Sequence, residues 1–478
     1  MTERRNQNLL VILSDEHQSR AMGCAGHDFV KTPNLDALAA RGTRFTNAYT
    51  PSPICVPARA AFATGKYVHQ NRLWDNAMPY TGDTPGWGHR LQAKGVPVES
   101  IGKLHYRHAE DDDGFDHKHI PMMVVDGVGM VWASIRRENE RVRPSSRMLG
   151  EYIGPGTSRY TEYDAAVTAK TQDWLQSRTP SDDPWCLYVG LVAPHFPFAV
   201  PEEFFNLYPP GSLPPVKQHP STGYRRHPWV ERQNALMDSE SQFKDADERL
   251  AALSCYYGLT SWMDHNVGQI LSALDNAGLA DNTTVIYSSD HGDNVGARGL
   301  WGKSNHYEES VAVPLIVAGP GTPVGTCDTP CSLLDLSATI VDHFDTPALD
   351  DSPGESLYDL MAAPTQPERE IFSEYHAAGA VSGAFMLRRG DWKLIHYVGF
   401  EPELFNLRDD PEELTNLAAD PAHADTLARL DAALRAICDP EGMDALAHAD
   451  QAALIESHGG RERALTLGAP GATPPPQV

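Results

Sequence analysis

The sequence predicts an α/β fold: a largely parallel, mixed sheet sandwiched by helices, followed by a smaller C-terminal α+β subdomain of antiparallel strands and a helix. Three observations predict it. Short runs rich in Val, Ile and Leu are apolar at consecutive positions, as strands buried on both faces are. Helical patterns separate those runs, the alternation expected of a parallel sheet covered on both sides. Around Pro364 the pattern changes, and short strand-like segments follow one another without intervening helices.

The elements run in order as follows. Residues 8–13 form a first apolar run that ends at Asp15, and residues 97–101 lead into Lys103-Leu104-His105. Residues 185–192 lead to Pro194-His195, residues 283–287 to Asp290-His291, and residues 314–317 to Gly319-Pro320-Gly321. Helical patterns cover residues 34–41, 163–176 and 250–277. Ligands of such sheets gather beyond the carboxyl ends of the strands. Four runs ending in an acid, a lysine or a histidine therefore converge on one site. The irregular stretches 112–160 and 209–228 are long enough to act as binding loops. Residues 371–374, 385–387, 392–397 and 403–407 read as short strands, and residues 422–437 as the helix that covers them. The organisation expected is a catalytic domain over residues 1–364, an α+β subdomain over 365–440 and a tail over 441–478. The last part of that tail, from Glu456, has little to fold around.

Composition narrows the function. Among 478 residues, 64 acidic against 39 basic side chains leave a net charge of −25, which argues against nucleic acid as a partner. The same charge disfavours polyanionic substrates relative to neutral or cationic ones. Seven scattered cysteines form no disulfide framework, and Cys327 and Cys331 have no second Cys/His pair to complete a zinc site. The first apolar run is too short to span a membrane and no signal-cleavage pattern accompanies it, so a cytoplasmic protein without membrane contact is expected.

One motif is far more specific than the rest. Cys55-Val56-Pro57-Ala58-Arg59 continues to Thr64-Gly65. Proline suits a first helical turn, and Thr-Gly suits a stop. Cys55 thus stands at a helix start, where free N–H groups favour an anion and a bare thiol is expected to have a low pKa. The pattern C-x-P-x-R-x-x-x-x-T-G resembles the sulfatase signature, within the alkaline phosphatase superfamily. The resemblance extends over roughly the first 420 residues, through Thr32-Pro33-Asn34, Gly102-Lys103-Leu104-His105, Asp290-His291-Gly292, Gly302-Lys303 and Leu404-Phe405-Asn406-Leu407. It is nearest to the branch of choline sulfatases, arylsulfatases and phosphonate monoester hydrolases.

The resemblance implies a set of roles. Cys55 is oxidised by a formylglycine-generating or equivalent maturation enzyme to formylglycine, whose hydrated aldehyde is the nucleophile. Asp15, Asp290, His291 and the modified Cys55 hold one divalent metal ion. Hard oxygen ligands suit Ca²⁺, Mg²⁺ or Mn²⁺, and the imidazole tilts the set toward Mn²⁺. Many sulfatases have Asn where this chain has His291, and bind Ca²⁺. Glu16 stands where the family often has a second acid, and its reach to the metal is open. Arg59 lies one turn from Cys55 and would hold the nucleophile. Lys103 binds the ester oxygens, and His105 takes the proton whose loss releases sulfate. Alternation along a strand end puts Lys103 and His105 on one face. His195 and Lys303 lie near the leaving-group oxygen, and Asn76 contacts substrate oxygens. His69, His89, His117, His119 and His376 have no comparable context; His306, close to Lys303, is a weak pocket candidate. Trp87, Trp132 and Tyr160 are pocket walls or, more simply, core. The activity implied is hydrolysis of a small aryl or alkyl sulfate ester, with a phosphonate monoester or phosphodiester hydrolase as the alternative. A homodimer or homotetramer stabilised by the tail is expected.

Overall fold

The computed structural model describes residues 7–136, 148–236, 238–468 and 472–477. Its central sheet has eight strands in the order Gly325–Cys327, Gly42–Phe45, Leu315–Ala318, Thr283–Ser289, Asn8–Asp15, Cys186–Pro194, Val98–Lys103 and His117–Met122. Leu315–Ala318 pairs antiparallel with both neighbours, while the other pairings are parallel. The α/β class and the mixed, largely parallel sheet are as expected. Three strands without an apolar run also join it, Gly42–Phe45, His117–Met122 and Gly325–Cys327, all at or next to the sheet's edges. Edge strands need no apolar residues on both faces.

The first strand shows how the layers form. Leu10 and Ile12 enter a core shared with the helices Pro33–Ala40, Arg159–Gln176 and Ala246–Asn276. Leu9, Val11 and Leu13 enter the opposite core, with the helices Cys55–Thr64, Trp87–Ala93 and Leu333–His343. Alternate side chains point to opposite faces, and all five are fully buried. Each such side chain stabilises the fold by about 1.5–3 kcal/mol. The helix Pro33–Ala40 is held by the long helix: Asp264 accepts from the N–H groups of Asn34 and Leu35 at 3.1 and 2.8 Å.

The C-terminal sheet is antiparallel, in the order Ile371–Tyr375, Ala384–Arg389, Trp392–Tyr397, Glu403–Asn406. Phe385, Leu387, Leu394 and Leu404 pack under the helix Ala424–Ile437. Met386, Ile395, Tyr397 and Phe405 face the other way, onto Tyr49, Ile54, Tyr307 and Val311 of the catalytic domain. Buried charges cross the same junction: Lys393 meets Glu308 at 2.8 Å and Glu413 at 2.7 Å.

The tail differs from its expectation. Residues Pro440–Ser457 and Gly460–Ala464 are helices, and Ala447, Gln451 and Ala464 are buried against the 3₁₀ turn Val131–Ser134 and the turn at Trp74. No helix among the described residues is long and apolar enough to cross a membrane.

Replacing Lys393 by Ala strands two carboxylates in the domain junction. We expect a destabilisation of about 3–5 kcal/mol in urea unfolding, the range for breaking a buried ion pair from one side.

Candidate functional site

The four strands expected to carry polar ends are neighbours in the sheet, and all run the same way. Their ends therefore meet. Asp15 closes the first strand and pairs in register with Pro194, one residue before His195. Ser14 pairs with Ser289, which precedes Asp290-His291. Lys103 closes Val98–Lys103, and Gly190 of the adjacent strand lets its backbone pass: a Cβ on Gly190 would lie 2.1 Å from the Lys103 carbonyl oxygen.

Cys55 is the first residue of its helix, behind the extended Ile54, and the helix stops at Gly65 in the left-handed conformation at φ 68°. Its Sγ lies 3.2 Å from His291 Nε2 and 3.7 Å from Asp15 Oδ1. Asp15, Cys55, Asp290 and His291 each offer one ligand atom, all within 4.8 Å of one another and all buried. Two carboxylates, an imidazole and the position-55 side chain suit a hard or borderline divalent cation. Asp290 Oδ1 accepts only backbone N–H groups, from His291 at 2.9 Å and Glu16 at 3.3 Å, and so keeps capacity for a cation.

Arg59 lies beneath this cluster rather than in the cavity. It donates from Nε to Asp290 Oδ2 at 2.8 Å, from Nη2 to Asp15 Oδ2 at 3.1 Å, and from Nη1 to the Tyr188 hydroxyl at 2.9 Å and the Lys103 carbonyl at 3.1 Å. Lys103 Nζ makes a very short contact to Asp15 Oδ2. Burial alone would raise the Asp15 pKa, but the charges of Lys103, His195 and Arg59 hold it well below the usual carboxylate range. Glu16, at φ 70°, turns the other way, and its carboxylate faces Lys303 Nζ at 3.2 Å and His195 Nε2 at 3.4 Å. Burial pushes Glu16 well above its ordinary pKa despite Lys303.

The thiol departs from its expectation. Burial, and then the negative charge of Asp15, push the Cys55 pKa up to about 11. The helix start is present, but burial of the sulfur, with the Asp15 carboxylate beside it, outweighs it.

Cys55, Asn76, Lys103, His105, His195 and Lys303 line one cavity, with Val124, Met130, Met148, Tyr160 and Phe196 as its apolar walls. His105 reaches it by a different route from strand alternation: the strand ends at Lys103, and His105 turns in through a left-handed backbone at φ 61°. Burial, Lys103 and Arg59 hold the His105 pKa well below the ordinary histidine value. His195 is held well below it too, by burial and Lys303. Lys303 Nζ donates to His195 Nε2 at 2.9 Å, so the other ring nitrogen, Nδ1, carries the proton and donates to the Phe196 carbonyl. Asn76 Oδ1 accepts from the N–H of Val56, the second residue of the helix that Cys55 opens, at 3.2 Å.

Two site residues escaped the sequence reading. Thr473, from the tail, places Oγ1 2.7 Å from His105 Nε2, and its carbonyl accepts from the Tyr160 hydroxyl at 2.5 Å. With Thr473 in place the cavity holds about 40 Å³. Nothing in the local sequence signals this contact. Asp164 accepts from the N–H groups of Val192 and Ala193 at 2.7 Å each, fixing the strand end before His195. Its signal was available: an acid on the buried face of a helix, between Tyr163 and Val167.

Other expectations resolve differently. The described part of the stretch 112–160 does line the cavity, whereas residues 137–147 lie outside the described residues. The stretch 209–228 does not: Leu213, Pro214, Pro215, Val216 and Lys217 line a separate cavity beside Arg20 and Tyr257. Trp87 and Trp132 are core residues, and His306 is buried away from the cavity lining.

Comparison with known proteins agrees with this geometry. The family model described as Sulfatase matches residues 7–346, and the one described as N-sulphoglucosamine sulphohydrolase, C-terminal, matches residues 296–439. A choline-sulfatase of Rhizobium meliloti (strain 1021) is 33% identical over 437 residues, covering 87% of this chain and 83% of that relative. Arylsulfatase K of Danio rerio is 28% identical over 464 residues, covering 92% and 85% respectively. The phosphonate monoester hydrolase of Agrobacterium radiobacter shares the fold, with a TM-score of 0.75 at 24% identity over 90% of this chain and 95% of that one.

Arg59→Lys keeps the charge but loses the planar fork that serves Asp15, Asp290 and Tyr188 together. We expect divalent-metal affinity to fall about 10- to 100-fold, as for other residues that orient metal ligands. Equilibrium dialysis with elemental analysis measures it.

Proposed function

The chain belongs to the sulfatase family of sulfuric ester hydrolases, and from that membership we propose that it cleaves a small aryl or alkyl sulfate ester, with Cys55 converted to formylglycine as nucleophile and one divalent ion, Ca²⁺ or Mn²⁺, held by Asp15, Asp290, His291 and position 55. The observation that carries the reading is the state of Cys55. A thiol pushed up to about 11 beside a buried carboxylate is a poor nucleophile, yet it lines the same cavity as Lys103, His105, His195 and Lys303. When present, the two groups would supply a geminal hydroxyl pair and a Lewis acid that acidifies it and polarises the ester.

The chain's own residues do the rest. Lys103, anchored on Asp15, presents its ammonium to the anionic ester oxygens. Asn76, braced on the nucleophile helix, offers its amide to the same oxygens. His105 is neutral and accepts a proton; its Nδ1 has no hydrogen-bond partner among the described residues. Lys303 is held well above its ordinary pKa despite its burial, with Nζ 3.2 Å from the Glu16 carboxylate, and with His195 it delivers a proton to the departing oxygen. Met130, Met148 and Phe196 keep water from the reacting atoms. The net charge of −25 favours a small ester over a sulfated polymer.

A substrate panel tests this: an aryl sulfate, choline sulfate, a phosphodiester and a phosphonate monoester, on protein whose Cys55 state is established by mass spectrometry. A sulfate ester should give the highest kcat/KM; far faster turnover of the phosphonate would overturn the assignment. Cys55→Ala should abolish turnover and leave the circular dichroism spectrum unchanged.

The pH dependence has a definite sign. His105 works unprotonated, and its pKa is depressed, so kcat should stay flat as pH falls through 6.5 and decline only well below it. His105→Ala should lower kcat by about 10²–10⁴-fold. An acid limb centred at 6.5 in the wild type would contradict the base assignment.

A further inference from the structure

We infer that Gln451, on the C-terminal helix Pro440–Ser457, is a positioning residue for the active site: through Asp75 it fixes Asn76 against the start of the nucleophile helix. This rests on the reading of Asn76 as a group that touches the ester.

Gln451 is 1% exposed and has both ends of its amide committed. Its Oε1 accepts from Arg136 Nη1 at 2.9 Å. Its Nε2 donates to Asp75 Oδ2 at 2.6 Å and to the His376 carbonyl at 2.9 Å. Arg136 fixes the glutamine in turn, donating to Asp444 Oδ1 at 2.8 Å and to the His376 and Ala380 carbonyls at 2.7 and 2.9 Å. The amide thus has one orientation, with its N–H₂ turned to Asp75.

Asp75 is a buried carboxylate held by three donors: Gln451 Nε2, the Ser134 hydroxyl at 2.7 Å and the Ala77 N–H at 2.8 Å. The last of these closes a tight turn around Asn76. The turn is pinned on its other side as well, where Trp74 Nε1 donates to Asp450, the helix neighbour of Gln451, at 2.7 Å. Asn76 itself is gripped from opposite sides. Its carbonyl accepts from Met130 N at 3.3 Å, and Gly129 packs so closely that a Cβ there would lie 2.0 Å from that oxygen. Its side-chain Oδ1 takes the Val56 N–H, which leaves Nδ2 turned toward Met130 Sδ and the cavity. One hydrogen-bonded path therefore runs from the C-terminal helix to the residue after Cys55.

The loss of Gln451 removes a donor from a carboxylate that is 1% exposed. The turn must then move to find one, and Asn76 moves with it. A glutamine that merely filled space would leave Asn76 where it is.

A double-mutant cycle separates the two cases. kcat/KM for an aryl sulfate is measured for Gln451→Leu, Asn76→Ala and the double variant, with metal content and Cys55 conversion confirmed equal by mass spectrometry. Each single variant should lose about tenfold, the worth of one hydrogen bond to a charged or reacting group, and the double variant should be no worse than Asn76→Ala alone. Losses that multiply, or full activity in Gln451→Leu, would overturn the coupling. Full activity in Asn76→Ala would instead overturn the role of Asn76, and the inference with it. If Gln451→Leu does not fold, Ser134→Ala removes another donor from Asp75 Oδ2 and should show the same non-additivity with Asn76→Ala.

Discussion

Arg59 lies between two fully buried carboxylates, and much of the site follows from that arrangement. Asp15 and Asp290 share its guanidinium, and Asp15 also meets Lys103. Ions are costly to remove from water unless their geometry is good and their remaining hydrogen bonds are made. Here the guanidinium also satisfies Tyr188 and the Lys103 carbonyl, so its planar fork is used in full. One arginine cannot saturate two carboxylates, and the free oxygens turn toward Cys55 and His291. Two carboxylates, an imidazole and the position-55 side chain within 4.8 Å of one another have the donor set of a divalent-cation site.

The fold supports this with rigid parts. Strands with two dry faces deliver Asp15, Lys103, His195 and Asp290 to one edge, and Asp164 locks the strand that carries His195. Ile54, the residue before Cys55, sits in the core that joins the catalytic domain to the C-terminal sheet. Lys393, with its two glutamates, ties the same junction. The C-terminal sheet is therefore part of the frame that holds the helix start at Cys55. The C-terminal helix adds a second brace, from the opposite side, through Asp75.

What could be read in the sequence was what depends on pattern. Continuous apolar runs betrayed strands with two buried faces, and the polar residues that ended them proved to be neighbours. The short strands near the edges left no such trace. Lys103 and His105 were placed together for a reason that does not hold: the strand ends at Lys103, and a left-handed residue turns the histidine in. Contacts made by the far end of the chain were invisible, since neither Thr473 nor Gln451 carries a local signal for a partner more than 300 residues away. The acidity of Cys55 was misjudged because a helix start is visible in sequence whereas a carboxylate folded against it is not.

That last difference bears on the chemistry. A cysteine that attacks as a thiolate is served by positive surroundings and a base that can take its proton. Lys103 and Lys303 do lower the Cys55 pKa, yet burial and Asp15 outweigh them. His195 is committed to Lys303, and the ring nitrogen beside the sulfur, His291 Nε2, belongs to the candidate metal set. The cations instead surround the place where an anionic ester would sit, and the carboxylates surround the place where a metal would. Such a division of charge suits a position-55 side chain that presents oxygen to a metal. A side chain of that kind is what the proposed conversion of Cys55 to formylglycine would provide.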